Sequence, residues 1–148
     1  MLVKTDTFVG RIIRWITRCE YNHAALVVSR TAVLEATWPK GIRIIKMAYR
    51  DYIVLRHPHA SREKAGLLVA RALDKVGAGY DSALIVQLLL RIWHLGRYNL
   101  NNPNKYICTE IIQYAYRKVN LKLFRKGDMR TVTPKSFIGK NCLLEKVD

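Results

Sequence analysis

Lys105-Tyr106-Ile107-Cys108-Thr109-Glu110-Ile111-Ile112-Gln113-Tyr114-Ala115-Tyr116 is the stretch around which the rest of the chain is organised. The run before it, Asn101-Asn102-Pro103-Asn104, suits neither helix nor strand, because proline lacks a backbone donor. After it, Ile111, Ile112, Ala115 and Val119 recur at helical spacing, which predicts a helix starting at or just before Cys108. A cysteine at that point meets the positive end of the helix dipole and unsatisfied backbone N–H groups. Both favour the thiolate, the form that attacks carbonyls. A small buried core residue fits the same position, since free cysteines pack as small hydrophobes.

Composition bounds the rest. The 148 residues make one domain, 1–148, with 50% apolar content, enough for a real core. Twenty-six lysines and arginines against eleven aspartates and glutamates leave a net charge of +15. That excess predicts an anionic partner: nucleic acid, a lipid surface or a bacterial wall polymer. Met1-Leu2-Val3-Lys4-Thr5-Asp6 turns polar too soon for the apolar region of a signal peptide, so a cytoplasmic location is expected. The longest apolar run, Ala83 to Leu95, is interrupted by Gln87, Arg91 and His94. At about 13 residues against the ~20 of a spanning helix, it reads as a buried helix and not a transmembrane segment. Cys19, Cys108 and Cys142 share no metal-like spacing and read as free thiols in a reducing compartment; no metal or cofactor is expected.

Along the chain, a first helix is predicted from about Thr7 to Arg18, capped by Asp6 or Thr7. Phe8, Val9, Ile12, Trp15 and Ile16 form its apolar side, with Arg11, Arg14 and Arg18 on the other. The pattern reads as an ordinary amphipathic helix with a solvated basic face, in preference to a membrane-binding element. A short strand, His23 to Val28, is followed by Ser29-Arg30-Thr31 as a turn and by the returning strand Ala32 to Thr37. Gly41 to Met47 and Tyr52 to His57 are further strands. A helix from about Ser61 to Val76 ends at Gly77, where glycine tolerates the left-handed cap. Asp81 or Ser82 caps the apolar helix, which stops near Gly96, and Leu143 to Val147 is a closing strand. This order predicts an α+β fold around an antiparallel sheet.

A nucleophilic cysteine needs a base, and the base usually needs a group to orient it. His94 lies in the apolar helix. His57 and His59 flank Pro58 without carboxylate or thiol companions, a poor metal site. His23 opens a strand at the rim of the sheet. Glu35, set among Val33, Leu34 and Ala36, needs a partner, because burying a lone carboxylate costs several kcal/mol. If Ser29-Arg30-Thr31 is the whole turn, Ala25 opposes Glu35. His23 and Glu35 then become diagonal neighbours on one face, with Cα atoms roughly 7–8 Å apart. A turn shorter by one residue would put them on opposite faces. Glu35 reaching the sheet edge to pair with a surface arginine is the alternative.

These residues resemble the permuted papain-like amidases of the NlpC/P60 superfamily. That branch includes the YiiX- and YaeF-type proteins and, more distantly, lecithin–retinol acyltransferase. Asn22-His23-Ala24-Ala25-Leu26-Val27-Val28 is similar to the family's histidine strand, and Val33-Leu34-Glu35-Ala36 to its acidic strand. Tyr106-Ile107-Cys108-Thr109-Glu110-Ile111-Ile112 is similar to its cysteine helix start. Gly41-Ile42, Gly79-Tyr80-Asp81 and Val132-Thr133-Pro134 resemble lesser family features, so the likeness spans residues from about 5 to about 145. Many members begin with a Gly-Asp strand, whereas here Asp6 runs straight into a helix.

The resemblance implies a compact papain-like core with the cysteine helix packed on a small antiparallel sheet. It also implies a Cys108–His23–Glu35 triad acting on an amide or ester carbonyl, and a bacterial or phage origin. Cys108 would attack, His23 serve as base and then acid, and Glu35 orient His23, while backbone N–H groups at the helix start hold the oxyanion. Thr109 and Glu110 are expected to serve the helix itself.

Three functions are open at this point. The first is a cysteine hydrolase of amides, with a peptide or peptidoglycan peptide as substrate. The second is an acyltransferase or lipid hydrolase held on an anionic membrane by the basic first helix. The third is a basic protein without catalysis that grips nucleic acid through Arg117, Lys118, Lys122, Arg125, Lys126 and Arg130, interleaved with Tyr116 and Phe124.

Overall fold

The computed structural model describes residues 1–82, 105–126 and 132–147. Strand β1 (Leu2–Val3) pairs on one side with β2 (His23–Ala24) and on the other with β6 (Tyr52–Arg56). Strand β9 (Glu145–Val147) adds to β6, giving the order β2-β1-β6-β9, antiparallel throughout. A second antiparallel sheet runs β3 (Leu26–Val27), β4 (Ala32–Thr37), β5 (Gly41–Lys46). A short parallel pair joins β7 (Gly79–Tyr80) to β8 (Lys105–Tyr106). Helices α1 (Phe8–Thr17), α2 (Arg62–Leu73) and α3 (Cys108–Lys118), with a 3-10 helix at Pro134–Ile138, complete a mixed α+β fold.

The strand predicted over His23 to Val28 is divided at Ala25. Met1 and Ala25 exchange both of their backbone bonds, N to O at 2.9 and 3.0 Å, which commits that stretch to β1. The chain then crosses to the second sheet as β3. The hairpin register is the one a three-residue turn dictates. Leu26 faces Leu34, Val27 faces Val33, and the Val28 N–H reaches the Ala32 carbonyl at 3.1 Å, which leaves Ala25 opposite Glu35.

The core lies between the sheets and α3. Ile111, Ile112, Ala115 and Tyr116 of α3 pack with Leu2, Ala24, Leu34 and Ala36 and with Leu68 and Ala72 of α2. Burial of each isoleucine contributes about 1.5–3 kcal/mol. Helix α2 starts where expected, with Ser61 Oγ accepting from Lys64 N at 3.2 Å, but it ends at Leu73, before Gly77. Gly77 has φ +89° and serves another end: its N–H bonds the Ile42 carbonyl at 2.9 Å, tying the loop to β5. The apolar stretch from Ala83 to Leu95 lies outside the described residues.

Helix α1 departs most from expectation. Thr7 is its N-cap, accepting from Gly10 N at 3.1 Å, but the helix is turned the other way round. Its inward side is small and polar. Gly10 is buried so closely that a Cβ there would fall 2.2 Å from Asn22 Nδ2. Arg14 folds back, Nη1 donating to the Thr5 carbonyl and Nη2 to Asp6 at 3.1 Å. The apolar side faces out, with Phe8 78% and Trp15 75% exposed. An ordinary amphipathic helix puts that side on the core; here the seat beside Asn22 accepts only a residue without a side chain.

Candidate active site

The start of α3 is built from its own residues. Ile107 is the N-cap and has no side-chain acceptor, so the helix is capped from the inside: Glu110 Oε2 accepts from Ile107 N at 3.2 Å. Burial pushes the Glu110 carboxyl above its usual range, against the Ile107 bond and with Asp81 adding to the rise. Thr109, fully buried, donates Oγ1 to the Val132 carbonyl at 2.7 Å, tying the helix to the Val132-Thr133-Pro134 segment. Glu110 therefore serves the helix start, as the sequence predicts, whereas Thr109 bonds a carbonyl 23 residues away and not the backbone of its own helix.

Cys108 is the first residue of that helix and lies against β2. Because Met1 and Ala25 form a doubly bonded pair, the next pair, Leu2 and Ala24, is of the non-bonded kind. The Ala24 N–H thus points away from β1, and it donates to Cys108 Sγ, as does the N–H of Thr109. Burial alone would push the Cys108 thiol up. The bond to His23, the charge of that ring and the two amides outweigh it and bring the thiol below its ordinary value.

His23 stands between the thiol and Glu35. Its Nε2 lies 3.0 Å from Glu35 Oε2, which leaves the other ring nitrogen for Cys108. Burial disfavours the charged ring, but the bonds to Cys108 and Glu35, and their charges, push His23 up to about 9. The shifts of thiol and imidazole run in opposite directions, as they do when each group favours the charged form of the other.

Glu35 is 1% exposed and is held on every side. Oε2 accepts from His23 and from the phenol of Tyr49, and Oε1 accepts from Arg43 Nη2 at 3.0 Å. Burial would raise this carboxyl; the bonds of His23 and Tyr49, the imidazolium charge and Arg43 hold it down at about 2. The Tyr49 phenol is correspondingly pushed up by its burial and by Glu35. Its ring sits 6.1 Å from that of His23. The two partners considered for Glu35, His23 and an arginine, are thus both present.

The motifs in the sequence do not single out Tyr49 or Arg43. A signal for Arg43 exists, because it stands directly opposite Glu35 in the β4–β5 pairing. Tyr49 follows β5 in a segment without regular structure, where no periodicity marks it. Tyr80 also borders the site: burial and then the Cys108 charge raise its phenol.

The other candidates fall elsewhere. His57 is buried and spends both ring nitrogens on structure, Nε2 on the Lys122 carbonyl at 3.0 Å and Nδ1 on the His59 N–H at 3.2 Å. His94 lies outside the described residues. Among the described residues no three His, Cys, Asp or Glu side chains gather as metal ligands. Cys19 and Cys142 are buried and unpaired. The basic cluster loses its aromatic half: Tyr116 and Phe124 are core residues, so neither ring offers a stacking platform to the exposed Arg117, Lys118, Lys122, Arg125 and Lys126. Arg130 lies outside the described residues.

Neither a scan against models of known protein families nor a search of curated proteins returns a match for this chain. No helix among the described residues is long and apolar enough to cross a membrane.

Proposed function

We propose that the protein is a cysteine hydrolase of a permuted papain-like fold that cleaves an amide bond, such as one in a peptide or a cell-wall peptide. One observation carries the reading: His23 Nε2 lies 3.0 Å from Glu35 Oε2, and the same ring adjoins the Cys108 thiol, which raises its basicity. The order along the chain, histidine then acid then cysteine, is that of the permuted amidases it resembles.

In this mechanism the Cys108 thiolate adds to the carbonyl carbon. A carbon–sulfur bond forms, and the carbonyl π pair moves to oxygen, where N–H groups of the first turn of α3 face the growing charge. The oxyanion then collapses, the C–N bond breaks, and His23 delivers its proton to the departing amine. Neutral His23 next takes a proton from water as that water attacks the thioester. The acid leaves, and Cys108 recovers its thiolate beside protonated His23. Glu35 keeps the ring oriented and stabilises its positive form, while Arg43 and Tyr49 keep Glu35 in place.

The test is the rate of iodoacetamide alkylation of Cys108, followed by peptide mass, from about pH 4 to about pH 9 in the native chain and in His23→Ala. The expected result is a thiolate titrating well below the ~8.5 of free cysteine, shifted back toward it when His23 is removed. An inert Cys108, or one that titrates like free cysteine in both proteins, overturns the proposal.

A further inference from the structure

The outward side of α1 has no role in the chemistry above, yet it carries the two most exposed large apolar side chains among the described residues. On a helical wheel Phe8, Ile12, Trp15 and Ile16 form one continuous stripe, with Arg11 and Arg18 along one flank. Phe8 is 78% and Trp15 75% exposed, and Arg11 and Arg18 are exposed beside them. The opposite side is committed: Gly10 sits on Asn22, and Arg14 is tied to Thr5 and Asp6. The helix therefore cannot roll its apolar stripe inward without losing both.

We infer that α1 is a docking helix that lies in the plane of an anionic lipid surface, Phe8, Ile12, Trp15 and Ile16 entering the acyl boundary and Arg11 and Arg18 meeting the headgroups. A short helix with aromatic and aliphatic residues on one side and arginines at its flank is what an interfacial segment requires. The net charge of +15 adds long-range attraction to the same surface. A second copy of the chain is a poorer occupant, because a two-fold pairing would bring the same arginines together on two proteins of like charge. Nucleic acid is poorer too: bases could stack on Phe8 and Trp15, but Ile12 and Ile16 of the same stripe would gain nothing, whereas a lipid surface takes all four.

The docking helix is seated next to the candidate active site. Thr5 N donates to Asn22 Oδ1 at 2.8 Å, and Asn22 Nδ2 donates to Thr5 Oγ1 at 2.6 Å. Asn22 immediately precedes His23, so the segment that carries α1 is anchored one residue from the proposed base. A chain docked in this way holds that end of the site at the membrane. The inference concerns where the protein sits and stands whether or not Cys108 is a nucleophile.

The experiment is sedimentation of the full chain with vesicles of phosphatidylcholine alone and of phosphatidylcholine mixed with phosphatidylglycerol, at physiological salt. The expected result is binding to the anionic vesicles, weakened at least about tenfold in Phe8→Ser/Trp15→Ser and about fivefold by each of Arg11→Gln and Arg18→Gln. A blue shift of tryptophan emission on adding vesicles, absent in Trp15→Phe, places that side chain in lipid. Unchanged Cys108 alkylation in the serine variant shows that it is folded. Equal binding of wild type and the serine variant overturns the inference in favour of diffuse charge. A wild-type chain that ignores vesicles but self-associates by sedimentation equilibrium through Phe8 and Trp15 overturns it in favour of a second copy.

Discussion

Tyr49 and His23 converge on a single oxygen, Oε2 of Glu35, from different parts of the chain. With Arg43 on the other oxygen, the carboxylate is fixed in both position and charge before it meets the histidine. Tyr49→Phe removes one of those donors and leaves the ring in place. The Glu35 carboxyl is then expected to titrate above its native value of about 2, moving toward its ordinary 4.5. The cost is about 1–2 kcal/mol of stability near neutral pH. Carboxyl chemical shifts followed through an acid titration check this, and an unmoved Glu35 would remove Tyr49 from the site.

Glu35→Gln keeps the shape of the side chain and deletes its charge. The imidazolium loses its counter-charge, so His23 is expected to fall from about 9 toward 6.5. Cys108, which depends on protonated His23, rises in response. Turnover of an amide substrate should drop by at least about tenfold, with the alkaline limb of its pH profile moving to lower pH. An alkaline limb that stays put would mean that Glu35 does not charge the ring.

Stability against pH tests the same ion pairs without a substrate. Glu35, lowered from 4.5 to about 2, stabilises the fold above pH 4.5, and that contribution is lost as pH falls toward 2, on the order of 3 kcal/mol. His23, raised from 6.5 to about 9, stabilises fully below pH 6.5 and loses that contribution as pH rises through 9. Cys108 acts in the opposite sense, since a lowered thiol gains stability as pH rises toward its unfolded value. The two oppose each other between pH 6.5 and 9, so wild-type stability is expected to fall less across that window than that of Cys108→Ala, in which the decline due to His23 is unmasked. The buried Met1 amine, lowered from 8.0 to about 6, adds the same rise with pH to both proteins and drops out of the comparison. Urea midpoints at a series of pH values measure the difference, and equal profiles in the two proteins would deny the coupling of Cys108 to His23.

Thr109→Val tests the support beneath Cys108. It leaves the buried Val132 carbonyl without the hydroxyl it accepts from at 2.7 Å, a loss of about 1–3 kcal/mol. Because this bond links α3 to the segment before Pro134, Cys108 alkylation should slow as well. A variant with wild-type urea midpoint would show that the bond contributes nothing net.

Much of this site is legible from the chain because its geometry is local. Turn length sets the β3–β4 register, which leaves Ala25 opposite Glu35, but the bond from His23 to Glu35 spans a break between two sheets at Ala25 that the sequence does not show. Proline before and isoleucine spacing after mark the start of α3 at Cys108. What escapes is what depends on distant packing. Leu2–Val3 is too short to show strand periodicity, yet it orients the Ala24 N–H. The parallel meeting of Gly79–Tyr80 with Lys105–Tyr106 leaves no pattern in either segment. Periodicity also identifies the stripe on α1 but not which side the protein turns inward. Gly10, small enough to sit on Asn22, is the local sign that the polar side is the seat.

Gly41 and Gly66 predict opposite effects of the same change. Gly41 opens β5 with φ +73°, a conformation that L side chains rarely adopt, and a Cβ there would fall 2.3 Å from the Ala78 carbonyl oxygen. That oxygen accepts from Ile42 N at 2.9 Å, so it cannot retreat without breaking the link between β5 and the loop before β7. Gly41→Ala is expected to cost about 3 kcal/mol or more, from left-handed strain and the clash together. Gly66 lies inside α2, and a methyl group added to it would meet nothing within 4 Å. Gly66→Ala should therefore stabilise by about 0.5–1 kcal/mol through helix propensity alone. Urea denaturation of the two variants gives both signs. A tolerated Gly41→Ala would show that the β5 turn relaxes, and with it the strand that carries Arg43 to Glu35.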